Sequence, residues 1–120
     1  MEEMQLTPRQ VEFAVDFWTE KFSEIKRPTD KWTPSDKQIR EFRKAIAKAI
    51  KDVPGIRAIA CHYGPQEVLR TALASVDKTK TNNGLDYEPP LLTCDVDMIF
   101  NPDGTIHLRE GGIEFVEKEP

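Results

Sequence analysis

Apolar residues at the start of the chain recur at helical spacing and predict an amphipathic helix over residues 7–26. A capping box opens it, in which the Thr7 side chain accepts from the third helical N–H and Gln10 reaches back to the cap. Pro8 suits the first helical position, where an N–H is not needed. Pro28 ends the helix, because the residue before a proline resists helical geometry. The apolar face consists of Val11, Ala14, Val15, Trp18, Phe22 and Ile25.

Two further helices are predicted in the middle of the chain, separated by a short strand over 56–63. Ser35 and Gln38 repeat the capping box of the first helix, and Pro54 lies where the second helix stops. The third helix opens at Pro65. The apolar face of the second helix consists of Ile39, Phe42, Ile46, Ala49, Ile50 and Val53. That of the third consists of Val68, Leu69, Ala72, Leu73 and Val76.

The C-terminal part alternates between apolar and polar residues, which predicts a β-hairpin of strands 91–100 and 105–110. The intervening Asn101-Pro102-Asp103-Gly104 suits a type I turn closed by a left-handed glycine. This turn fixes the register, so that Phe100 lies opposite Ile106 and Asp97 opposite Arg109. A last strand is expected at 113–116.

Together these elements predict one α+β domain, with two or three N-terminal helices packed on a small antiparallel β-sheet that includes the C-terminal hairpin. The domain divides into a helical region at 1–76, a flexible loop at 77–90 and a hairpin region at 91–120. The loop has almost nothing to bury, and so long a connection is often functional. Short strands leave open sheet edges, which favour a homodimer or higher homo-oligomer.

Composition narrows the classes of function. Seventeen Lys and Arg against 21 Asp and Glu give a net charge of −4, which disfavours general binding to nucleic acid. The chain lacks an apolar run long enough to cross a bilayer, and its acidic start does not resemble a secretory signal. Cys61 and Cys94 are expected to be free thiols, so we predict a cytoplasmic protein.

The candidate ligand site lies on the polar face of the hairpin, where the register places Asp95, Asp97, His107 and Arg109 together. The Arg109 guanidinium suits a phosphate, and the aspartates accept from hydroxyl groups or orient the arginine. His107 is a second donor, and Tyr63, or an aromatic residue of a partner subunit, would stack on a base. The alternative is that Asp97 and Arg109 form an ordinary cross-strand pair on a solvent-exposed face.

Two other kinds of function stay open, whereas a metal site at Cys61 and His62 is disfavoured. Asp95 and Asp97 share a strand face and suit a divalent cation, as in a small metal-dependent hydrolase. Cys61 and His62 point to opposite faces of the predicted strand, so they do not chelate one ion. A protein-binding inhibitor would work through Trp32 or the basic face of the second helix. The charged residues of that face are Lys37, Arg40, Glu41, Arg43, Lys44, Lys48 and Lys51.

Short motifs over most of the chain resemble those of small phage-encoded accessory proteins. The opening pattern Leu6-Thr7-x-x-Gln10-Val11-x-x-Ala14-Val15-x-x-Trp18 carries this resemblance. So do His62-x-x-Pro65-x-x-x-Leu69-x-x-Ala72 and the ending Asp103-Gly104-x-Ile106-x-Leu108-x-x-Gly111-Gly112. The group ends its last strand in Gly-aromatic-Gly, whereas this chain has Arg109-Glu110-Gly111-Gly112.

Within that group the chain resembles the anti-Thoeris sponges, which bind cyclic ADP-ribose-type immune signals without cleaving them. The resemblance implies helices on an antiparallel sheet, an oligomer, and a site of Arg, polar residues and an aromatic, of which Arg109 matches by position. We therefore expect a non-enzymatic phage protein, without a cofactor, that sequesters a small anionic nucleotide, with the 77–90 loop closing over it.

Overall fold

A computed structural model describes residues 5–25, 33–61, 66–78, 80–84, 95–111 and 113–117, the last range as backbone only. It contains the helices α1 (Pro8–Ser23), α2 (Asp36–Lys51) and α3 (Glu67–Ala74), and the strands β1 (Ala58–Cys61), β2 (Val96–Phe100), β3 (Ile106–Glu110) and β4 (Ile113–Glu117). The predicted α+β class, with helices preceding a C-terminal hairpin, is confirmed. None of these helices combines the length and the apolar character that crossing a bilayer requires.

Both predicted capping boxes form. Thr7 accepts from the Gln10 N–H at 3.1 Å, and the Gln10 side chain accepts from the Thr7 N–H at 2.9 Å. Ser35 and Gln38 repeat the arrangement at 3.2 and 2.8 Å. Each box satisfies two N–H groups that the first helical turn leaves without partners, which fixes where α1 and α2 begin.

The strands form one antiparallel sheet in the order β1-β2-β3-β4. The hairpin register is the predicted one, with Asp97 opposite Arg109. Asn101 begins the turn, and Gly104 closes it with a φ of 92° and an N–H that donates to the Asn101 carbonyl. A side chain resists this left-handed backbone, so the glycine holds the register.

The helices cover one face of the sheet, and the core lies between these two layers. Gln10 of α1 donates to the main-chain oxygens of Asn101 and Thr105 at the hairpin turn. At the other end of α1, Lys21 bonds Glu110 of β3 at 2.7 Å. Helix α1 therefore runs along the hairpin. The largest fully buried apolar side chains are Trp18, Phe22, Phe42, Ile46, Ile59, Leu69, Met98 and Val96.

Two predicted helix faces differ at their ends. Helix α1 stops at Ser23 and not at residue 26, with Glu24 as its C-cap and Ile25 half-buried beyond it. Helix α2 stops at Lys51, so Val53 lies in the following turn with 39% of its surface exposed, and its assignment to the apolar face was wrong. All five apolar residues predicted for α3 are buried.

The segment after α3 is anchored to α2 and to the residues just before it through Asp77, Asn82 and Asn83. Asp77 accepts from Lys37 at 2.9 Å, and its N–H donates to Glu41 at 2.5 Å. The hydrogen bond that Lys37 donates to the Asp77 carboxylate raises the pKa of Lys37 above its ordinary value. Asn82 donates to the Pro34 carbonyl at 2.7 Å. Within the predicted loop, Asp77 thus contacts α2, and Asn82 and Asn83 contact the two residues before its N-cap.

Candidate functional site

The face of the sheet turned away from the helices carries the candidate ligand site. Side chains alternate between the faces of a strand, so the core positions Met98 and Leu108 send Asp97 and Arg109 to the opposite face. Ala60 of β1 lies beside Asp97 in the register. The sequence placed the polar residues on this face because the turn fixed the register.

Asp97 and Arg109 form a short cross-strand ion pair. One terminal nitrogen of Arg109 donates to an Asp97 carboxylate oxygen at 2.6 Å. The Arg109 side chain is 48% exposed and that of Asp97 24% exposed. An exposed pair of this kind contributes only about 0.2–1 kcal/mol to folding. Its chemical interest is the guanidinium fork, which the pair orients and leaves accessible to solvent.

His107 and Ile99 lie opposite each other, next along the same face. His107 is half-buried, and Ile99 is 42% exposed, so an apolar side chain adjoins the imidazole. Asp95 is exposed just before β2, and its carbonyl accepts from the Gly111 N–H at 2.9 Å. The structure therefore places Asp95 and His107 at the two ends of the strip that Asp97 and Arg109 occupy.

Several residues singled out from the sequence lie outside the described residues. They are Trp32, His62, Tyr63 and Cys94, together with residues 85–90 of the predicted loop. The proposed aromatic stacking by Tyr63 and the closure of that loop thus stay predictions. Cys61, by contrast, is buried on the core face of β1.

The surroundings of Asp95 and Asp97, the two aspartates proposed for a cation, do not favour a metal site. Asp97 engages Arg109, and a guanidinium at this distance competes with a cation for the same carboxylate. In the described ranges, no three His, Cys, Asp or Glu side chains gather closely enough to hold a metal ion.

The basic face of α2 is partly neutralised by carboxylates. Arg43 pairs with Asp16 of α1 at 2.6 Å, and Lys48 pairs with Asp52 at 2.7 Å. The Asp52 hydrogen bond raises the pKa of Lys48. With Lys37 held by Asp77, this face is a set of ion pairs with a few separate cations between them. It is less basic than its sequence suggests.

Three connected grooves near the end of α2 were not predicted. The largest, about 540 Å³, lies between the end of α2, the start of β1 and the start of α3, and Val53 and Ile56 line it. The others, of about 290 and 320 Å³, adjoin it. The sequence signal that could have indicated these grooves was Val53. Because it keeps helical spacing with the core positions of α2, it was assigned to the buried face.

Comparison with known proteins adds no assignment: no family model, curated protein or solved structure matches the chain. The resemblance to phage accessory proteins therefore stands on the short motifs of the sequence alone.

Proposed function

We propose that this protein binds a small phosphate-bearing ligand on the open face of its sheet and sequesters it without chemical change. The observation that carries the proposal is Arg109, whose half-exposed guanidinium is oriented by the 2.6 Å contact with Asp97. A guanidinium held in place binds phosphate oxygens through parallel hydrogen bonds, with less loss of side-chain freedom than a mobile one.

The neighbouring residues suit the rest of a nucleotide. The carboxylates of Asp97 and Asp95 are hydrogen-bond acceptors of the kind that a ribose hydroxyl requires. His107 offers a donor beside the apolar Ile99, where the edge of a base can lie. Tyr63 is kept as the proposed stacking residue on the strength of the sequence.

The specific ligand that we propose is a cyclic nucleotide signal of the cyclic ADP-ribose type. This choice comes from the motifs shared with phage accessory proteins, and with it come a phage origin, an anti-defence role and a cytoplasmic location in the infected host. We also propose a homo-oligomer, because β4 is an outer strand of the described sheet and can pair with a strand of another copy.

A thermal-shift panel of cyclic nucleotides and cyclic ADP-ribose isomers tests the proposal. A ligand at a hundred times its dissociation constant stabilises the fold by about 2.7 kcal/mol, which raises Tm by several degrees. Ligand released by heating should have an unchanged mass. A panel without any shift, or a released ligand of altered mass, would contradict sequestration.

Arg109→Ala should abolish the shift while leaving the Tm of the ligand-free protein nearly unchanged, because the ion pair is exposed. Arg40→Ala is the matched control, since Arg40 is an exposed arginine on α2, on the other side of the sheet. If Arg109→Ala binds the ligand normally, the assignment of the binding site to this face of the sheet is wrong.

Protein binding is the second candidate function. This function is favoured because β1 directs main-chain N–H and carbonyl groups away from β2, and an apolar groove lies beside them.

A further inference from the structure

The outer edge of β1 is closed at one residue and open at the next. The Arg57 main-chain carbonyl accepts from the Phe100 N–H at 2.8 Å, so by strand alternation Ala58 and Ala60 direct their main-chain groups away from β2. Gln66 closes the edge at Ala60, where its N–H donates to the carbonyl and its side chain accepts from the N–H, both at 3.1 Å. Among the described residues, the outward N–H and carbonyl of Ala58 have no such partner.

An apolar groove runs beside this open edge. Ala58 itself lines the 540 Å³ groove, together with the side chains of Val53, Ile56 and Val68. Val53 and Ile56 also line the adjoining 290 Å³ groove, whose far wall includes Leu6. Main-chain hydrogen-bonding groups and apolar pockets for side chains therefore lie next to each other, as strand addition by an extended peptide requires.

The connected grooves carry a small excess of positive charge although the chain as a whole is acidic: four cations, Lys44, Lys48, Lys51 and Arg70, lie on the rim with three carboxylates, Glu41, Asp52 and Glu67. Within the described part of the chain, none of Lys44, Lys51 and Arg70 forms an ion pair. The one carboxylate on the rim that is similarly unpaired there is Glu67. Outside the ion pairs of Glu41 with Lys37 and of Asp52 with Lys48, three cations against one carboxylate favour an acidic ligand, and most strongly at low salt.

We propose that the edge of β1 at Ala58 and the adjoining groove bind an acidic, extended peptide segment of a partner protein. The peptide adds a strand through the Ala58 N–H and carbonyl, and every second side chain enters the groove between Val53 and Val68. Its carboxylates meet Lys51 and Arg70. A second copy of this chain fits less well, because it would bring two basic rims together. The inference does not depend on a ligand at the open sheet face.

Selection from a displayed library of random peptides, each of about ten residues, tests the proposal on the full chain. Enriched peptides should alternate apolar and acidic residues, and their binding should weaken as salt is raised. In ¹⁵N-resolved spectra, the Ala58 amide should become protected from hydrogen exchange when a selected peptide is added. No enrichment above background, or enrichment of basic peptides, would overturn the assignment.

Ala58→Pro should weaken binding of the selected peptides by about tenfold, because proline removes the outward N–H. The ladder to β2 keeps its bonds, since Ala58 does not donate to it, and an unchanged circular dichroism spectrum verifies this. Val53→Ser, at an exposed position, should weaken binding without an effect on folding. Equal affinity of both variants and the unaltered chain would overturn the site.

Charge-reversal variants test whether the cations on the groove rim contribute to peptide binding more than cations elsewhere on the surface. Lys51→Glu combined with Arg70→Glu should weaken binding, whereas Arg9→Glu, an exposed change near the start of α1, should not. Sedimentation measurements address the alternative occupant. A dimer that Ala58→Pro dissociates would overturn the proposal and assign this edge to a second copy.

Discussion

Gln10, Gln38 and Gln66 each connect the start of a helix to main chain elsewhere in the fold. Gln10 completes the cap of α1 and bonds the hairpin turn, and Gln38 completes the cap of α2 and bonds the Asp77 carbonyl. Gln66 precedes α3 and closes the edge of β1. An amide has donors and acceptors on one group, so it can serve a cap and a distant segment together.

Gln10→Met should destabilise the protein by about 1–3 kcal/mol, although methionine has a similar volume and retains the packing. The substitution removes the donor to Asn101 and Thr105 and the acceptor that the Gln10 side chain offers to the Thr7 N–H at the start of α1. Urea denaturation at equilibrium measures this free energy. Arg9→Met is the control at an exposed neighbour and should change stability by less than about 0.5 kcal/mol.

The sequence predicted the capping bonds of Gln10 and Gln38 but not their bonds to distant main chain. Capping is local, so the spacing of Thr7 and Gln10 was enough to predict the bond between them. The bonds from Gln10 to the hairpin join residues about 90 positions apart, and no local pattern encodes them. Asp97 and Arg109 were predictable as neighbours, because one turn determines their register.

At the level of a single helix, the stability of α2 depends on its N-cap, Ser35. Ser35→Ala should destabilise the protein by about 1 kcal/mol, because the Gln38 N–H loses its acceptor in the first turn. Ser35→Asp retains a side-chain acceptor and should remain close to the unaltered protein. Thermal denaturation followed by circular dichroism compares the two. Equal losses in both variants would show that the cap is not the cause.

The ends of elements were harder to predict than their existence. Helical periodicity continues past Lys51 in the sequence, and only the structure shows that Val53 lies in a turn. The segment after α3 contains polar residues that indicate solvent exposure, yet Thr81 is buried, and Asn82 bonds Pro34. Polar composition predicts irregular backbone well, but it does not predict which surface that backbone follows.

For the whole molecule, two periodicities were enough to predict the α+β class, because each element has one apolar side and the layers must bury those sides together. The same reasoning leaves function open. An antiparallel sheet that is covered on one side has polar and charged residues on its other face. The sequence pattern of Asp97 and Arg109 is therefore the same whether they form a ligand site or an ordinary ion pair. Ligand binding is what distinguishes them.

The strand order has a consequence for the path by which this chain folds. Strands β2, β3 and β4 are joined by short turns, whereas β1 pairs with β2 across a long separation, with Cys61 and Val96 as partners. Closing a long loop costs more entropy than closing a hairpin, so the local meander should form early and β1 should dock late. Two buried isoleucines, Ile59 and Ile106, allow the same substitution in both parts.

Ile106→Val should therefore slow refolding, whereas Ile59→Val should mainly accelerate unfolding, at similar losses of stability of about 0.5–1.5 kcal/mol. Stopped-flow tryptophan fluorescence over a range of urea concentrations separates the two rates. The reverse pattern would place β1 in the folding nucleus. On the expected pathway, the edge at Ala58 is the last part of the sheet to be built, and a nascent chain exposes it for longest.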